Sequence, residues 1–91
     1  MAITIRVPNA LRKLTEEQGR LSAEGATVRE VLGRVGEEHP EFLDRITEED
    51  GELRQFLNVF VNGDDIRYEE ELDTPVEDGD EVSIVPSIAG G

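Results

Sequence analysis

Two glycines, Gly90 and Gly91, close the stretch "VPSIAGG" at residues 85–91. At an average glycine frequency of about 7%, chance places such a pair there in about 0.5% of chains, so the pair asks for a chemical reading. Glycine has no Cβ, so two in a row can pass through a narrow channel and take backbone angles closed to other residues. The terminal carboxyl carbon then stands open to attack. A carboxylate is a poor electrophile and needs activation, most simply as an acyl-adenylate that a partner forms with ATP. A nucleophile can displace AMP from that carbon. On this reading the tail is substrate and the folded part is its handle.

Other residue types offer little chemistry. His39 is the single histidine and lies beside Pro40 at the end of a predicted helix, which reads as a solvated end residue. Ser83 and Ser87 have no second histidine to build a relay, and "GEEHPE" lacks the second histidine of a helical zinc-protease motif. Glu48-Glu49-Asp50 and Glu69-Glu70-Glu71 do not follow calcium-loop spacing and read as solvated faces. With no cysteine, disulfides, thiolate nucleophiles and Cys-based zinc sites are excluded. The chain is read as no enzyme, with no bound metal or cofactor.

Charge narrows the partners. The 91 residues carry 22 acidic and 9 basic side chains, a net charge of −13. Nucleic acid phosphates and anionic lipid surfaces are disfavoured, and protein partners with basic surfaces are the natural counterpart. No apolar run approaches a membrane span, and no signal-peptide core follows a basic stretch. A cytoplasmic protein, monomeric when free, is expected.

The elements that must position the tail follow from periodicity. Ile3, Ile5 and Val7 alternate with polar or small residues, as in a half-buried strand ended by Pro8. Residues 9–19 read as a wrapping connection and Leu21 to Ala23 as a short second strand. Thr27 and Glu30 have the spacing of a capping box, and Val28, Val31, Leu32 and Val35 form one helical stripe closed by Pro40. Gly33 and Gly36 weaken that helix, so packing on a sheet must hold it. Residues 41–55 suggest a helical turn and then a loop. Phe56 to Val61 is a strand, Asn62-Gly63 a tight turn and Ile66 to Tyr68 a short return strand. "EVSIVP" is the last strand.

One amphipathic helix on a sheet with one apolar face makes a two-layer α+β domain. Its order and size resemble the β-grasp, or ubiquitin-like, fold: a mixed sheet of four to five strands on one main helix. The domain is expected over residues 1–86, followed by a flexible tail over 87–91 that reaches about 17 Å at full stretch. If Leu57, Val59, Val61, Val82 and Ile84 face the helix, Phe60 and Val85 lie on the open face, and Phe56 joins them unless segment 41–55 covers it. With Ile88 and Ala89 of the tail they form the candidate partner-docking surface, rimmed by acid.

Together "ITIRVP", "TVREVLGRV", "FVNGDDIRY", "DGDEVSIVP" and the final "AGG" resemble the ThiS/MoaD-type sulfur carrier proteins, over nearly the whole chain. The long segment between helix and third strand, the run from Phe56 to Asn62, Asp64 to Tyr68, and the end from Pro86 to Gly91 are most similar to the CysO-type carriers of cysteine biosynthesis. The resemblance implies that an E1-like enzyme adenylates the Gly91 carboxylate and that sulfur transfer gives a thiocarboxylate. It further implies a PLP-dependent cysteine synthase as acceptor and a metalloprotease that releases the product. Gly90 and Gly91 match the family's terminal motif. Phe60 carries over more weakly, because docking faces vary among partners. A MoaD-like or shared carrier remains the alternative within the class. A ubiquitin-like modifier is the alternative outside it, and the single lysine, Lys13, fits a carrier better than a chain-forming modifier.

Overall fold

The computed structural model describes residues 2–86. The strands are β1 (Ala2–Arg6), β2 (Arg20–Glu24), β3 (Leu57–Val61), β4 (Asp64–Asp65) and β5 (Glu81–Pro86), and the helices are α1 (Val28–Glu38) and α2 (Pro40–Ile46). The strands form one mixed sheet in the order β2-β1-β5-β3-β4. β1 and β5 run parallel at its centre, and the other pairs are antiparallel. First and last strands thus sit side by side, where their aliphatics are best buried.

The pleat sorts the side chains. Ile3 and Ile5 of β1, Leu57, Val59 and Val61 of β3, and Val82 and Ile84 of β5 all point into one core with α1 and α2. Burying each aliphatic side chain contributes about 1.5–3 kcal/mol, which offsets the two glycines within α1. Val28, Val31, Leu32 and Val35 form its buried stripe as expected. The Thr27 hydroxyl accepts from the Glu30 amide at 3.2 Å. The Glu30 carboxylate accepts from the Ala26 amide at 2.9 Å, so the box closes one residue earlier than the usual pattern.

Three local expectations are corrected. His39 is buried, with 8% of its surface exposed, because α1 and α2 meet there. Its amide donates to the Val35 carbonyl at 2.8 Å, and its carbonyl accepts from the Phe42 amide at 3.1 Å. Pro40 does more than end α1: it occupies the first turn of α2, where a missing N–H leaves no lost bond. A Cβ at Gly36 would overlap the Leu43 side chain, so this glycine sets the approach of the two helices.

The third correction concerns the return strand. Asn62 and Gly63 take positive φ values of 51° and 92°, as a tight hairpin turn requires. Only Asp64 and Asp65 pair back with β3. The Asp65 carboxylate then accepts from the Arg67 amide at 2.9 Å, and Ile66 to Tyr68 turn into a 3-10 helix that buries Ile66. The connection after β1 also contains a 3-10 helix, Asn9–Thr15, with Leu11 and Thr15 buried.

Candidate functional site

The outward face of the sheet carries the candidate docking residues. Register pairs Arg20 with Arg6, Arg6 with Ser83, Ser83 with Phe60, and Phe60 with Asp65. These five residues make one row across all five strands. Next to that row, Val85 pairs with Asn58. Phe60 and Val85 are therefore diagonal neighbours, within reach for an aromatic side chain. Phe60 is half-buried, Val85 is 43% exposed, and Phe56, just ahead of β3, is 46% exposed. Phe42 and Ile46 of segment 41–55 are buried in the core on the helical side, and Phe56 keeps nearly half of its surface exposed.

The rim differs from the expected acidic one. Asp65 supplies acid at the β4 edge, whereas Arg6 and Arg20 bring the opposite charge toward the β2 edge, with Glu81 of β5 lying 3.8 Å from Arg6. Reading the strands singly could not find this, since Arg6 and Arg20 become neighbours only through the β1–β2 register. Tyr68, 86% exposed at the end of its 3-10 turn, is a further aromatic that the strand reading did not single out.

β5 delivers the chain to the end of this face. Pro86 pairs with Leu57, and a shallow open groove lined by Arg6, Pro8, Arg12, Ser83, Val85 and Pro86 runs beside it. Ile88, Ala89, Gly90 and Gly91 lie outside the described residues. His39 is engaged in the helix junction, and Ser83 is an outward strand residue between Arg6 and Phe60. Among the described residues no group of three or more His, Asp or Glu side chains is placed to hold a metal ion.

The opposite end of β1 and β5 uses its acids internally. Asp80 accepts from the Asn62 side-chain amide at 2.9 Å and from the Glu77 backbone amide at 2.7 Å. These donors hold its carboxyl below the ordinary aspartate range, the Asn62 bond being the larger cause, against a small opposing desolvation. Asp78 accepts from the Ala2 amide at 2.7 Å. Acid thus clasps the far end of the sheet, while the tail end carries cations.

Comparison with known proteins agrees with this architecture. The ThiS family profile matches residues 5–91. A protein of Archaeoglobus fulgidus, provisionally named a sulfur carrier protein, is 42% identical over 91 residues, covering 100% of both chains. The sulfur carrier protein CysO of Mycobacterium tuberculosis is 34% identical over 93 residues, again 100% of both. Small archaeal modifier protein 3 of Haloferax volcanii is 38% identical over 66 residues, covering 72% of this chain and 71% of that one. Among solved structures, the Amycolatopsis orientalis BexX/CysO complex superimposes with a TM-score of 0.91 at 37% identity, covering 98% of this chain and 99% of its counterpart. With the β-grasp sheet, the full-length similarity and the profile in agreement, the chain belongs to the ThiS family, as a small sulfur carrier protein of the CysO type.

Proposed function

We propose that residues 1–86 serve as a recognition body and residues 87–91 as a reactive tail that carries sulfur on Gly91. The Gly91 carboxylate attacks the α-phosphorus of ATP held by an E1-like enzyme, and pyrophosphate leaves. A sulfide-level nucleophile then attacks the acyl carbon, AMP leaves, and a thiocarboxylate remains. ATP belongs to the activating partner in this scheme. The absence of cysteine fits it, because the sulfur rides on the carboxylate. One observation carries the reading: the ThiS match runs through residue 91, so Gly90 and Gly91 lie within the matched region.

The similarity to CysO carriers supports cysteine biosynthesis as the acceptor route. A PLP-dependent cysteine synthase makes an aminoacrylate from an activated serine, and the thiocarboxylate sulfur adds to its β-carbon. The resulting thioester shifts from sulfur to nitrogen to give an amide at Gly91. A metalloprotease hydrolyses that amide to release cysteine and restore the carrier's carboxylate, all in the cytoplasm. Phe60, Val85 and Phe56, with Ile88 and Ala89, form the surface that the successive partners engage. Intact mass spectrometry of protein from its native host tests the scheme. One oxygen replaced by sulfur, mapped to Gly91, is the expected result. Unmodified chain alone, with no phenotype on Gly91 deletion, overturns it.

The similarity to an archaeal modifier protein supports a second reading, in which Gly91 is also joined to lysines of other proteins. Lysine-linked ladders on immunoblots of the host would favour that reading over the carrier.

A further inference from the structure

We infer that Arg6, Arg12 and Arg20 form a cationic collar that docks a carboxylate-lined segment of the enzyme that adenylates Gly91, an inference that rests on the reading of Gly91 above. Arg6 and Arg20 are direct cross-strand partners on the open face. Like charges so placed destabilise a sheet, so folding alone gives no reason for the pair. Arg12 joins Arg6 along the groove beside Val85 and Pro86. Arg12, whose guanidinium lies over Gly19, thus stands at the same end of β1 as the Arg6–Arg20 pair, and its groove with Arg6 extends to Pro86, the last described residue.

The chain's own acids leave this collar largely unneutralised. Despite 22 acidic residues, the nearest ion pair is Arg6 with Glu81 at 3.8 Å, with 51% and 38% of the two side chains exposed. Such an exposed pair contributes little. Among the described residues no carboxylate forms an ion pair with Arg12 or Arg20. Arg12 is also held in place. Its Nε donates to the Val7 carbonyl at 3.1 Å, and its guanidinium lies over Gly19, where a Cβ would come within 2.8 Å of Cζ. A side chain anchored in this way loses less freedom when it meets an acceptor.

The arrangement selects a protein partner with carboxylates at its surface. The collar shares a row with Phe60 through Ser83, so one partner can cover the apolar patch and the cations together. A nucleic acid backbone laid along that row would run onto Asp65, and a three-arginine patch on a chain of net charge −13 is too small a footprint for it. With acid clasped at the far end of β1 and β5, the charge separation turns the tail end toward an acidic rim during approach.

The test is ATP–pyrophosphate exchange driven by the whole chain with an E1-like enzyme of the same organism, at low and high salt. The triple variants Arg6→Glu/Arg12→Glu/Arg20→Glu and Arg6→Gln/Arg12→Gln/Arg20→Gln should lower kcat/KM by about tenfold or more at low salt, through KM, with kcat at saturation kept. The salt dependence should flatten in the glutamine variant and reverse in the glutamate one, while Arg34→Glu on α1 leaves kcat/KM and its salt dependence unchanged. Wild-type kcat/KM and salt dependence in both triple variants would overturn the collar. If the wild-type chain supports no exchange at all, the Gly91 reading itself fails. A hexaglutamate peptide titrated into the labelled protein then decides the collar. Shifts at Arg6, Arg12 and Arg20 that vanish in the glutamine variant sustain it, and shifts elsewhere or none overturn it.

Discussion

Ile84 and Val85 are adjacent on β5, yet Ile84 is 2% exposed within the core and Val85 is 43% exposed on the outer face. β3 repeats the contrast with Val59 and Phe60. On β1, β3 and β5 the closed face holds aliphatics, whereas the open face mixes an aromatic, small polar residues and both signs of charge. The two-residue period of a strand lets one short segment stabilise the fold and present a surface without compromise between the two tasks. For a carrier working as proposed that separation is useful, because the body would keep its shape while Gly91 is modified.

The sharpest way to break the comparison is to truncate both neighbours. Ile84→Ala should lower unfolding free energy by about 2–5 kcal/mol, since it leaves a cavity beneath the central strand. Val85→Ala should stay within about 0.5 kcal/mol, yet slow activation by the partner. Urea denaturation gives the first readout and ATP–pyrophosphate exchange the second. Comparable stability losses at the two positions would show that the faces are not divided as described.

Phe60→Ala comes next. Its ring is half-buried between Ser83 and Asp65, so its stability loss should fall below that of Ile84→Ala. Its effect on partner-dependent exchange should be at least about tenfold, equivalent to about 1.4 kcal/mol, if the ring anchors the interface. Loss of stability with exchange unchanged would move Phe60 from the working face to the structural one.

The division was legible in the sequence wherever it depended on period. Alternation in "ITI", "LNVFV" and "VSIV" assigned each residue to a face before any pairing was known. What escaped were features that exist only between elements. His39 looks solvated beside Pro40 until α2 starts there and folds against α1. Ile66 to Tyr68 carries strand-forming residues, but the Asp65 side chain captures the Arg67 amide and bends the chain. The arginine collar requires the β1–β2 register and the 3-10 turn that brings Arg12 back over Gly19.

A smaller effect tests the helix that closes the core. Thr27→Ala removes the acceptor for the Glu30 amide and should cost about 1 kcal/mol, with Thr27→Ser restoring most of it. Exchange with the partner should be unaffected, since Thr27 starts α1 on the closed side. Circular dichroism melts and the exchange assay together check both halves. A change in exchange without a change in melting would contradict the separation of faces.

The smallest expected effect lies at the acidic end. The Asn62 and Glu77 amides hold the Asp80 carboxyl below its ordinary range. A depressed folded pKa contributes stability above the unfolded value, and that contribution is lost as pH falls through the folded one. Asn62→Ala removes the larger cause, so the variant should be slightly less stable than wild type at neutral pH. The difference should shrink as the pH falls through the lowered folded pKa of Asp80, below which folded and unfolded states are both protonated. Urea midpoints measured from neutral to acidic pH check the sign. A difference that stays constant with pH would mean that the clasp acts through the turn geometry of Asn62 alone. A difference that fades in acid would show that the acids at this end hold the sheet.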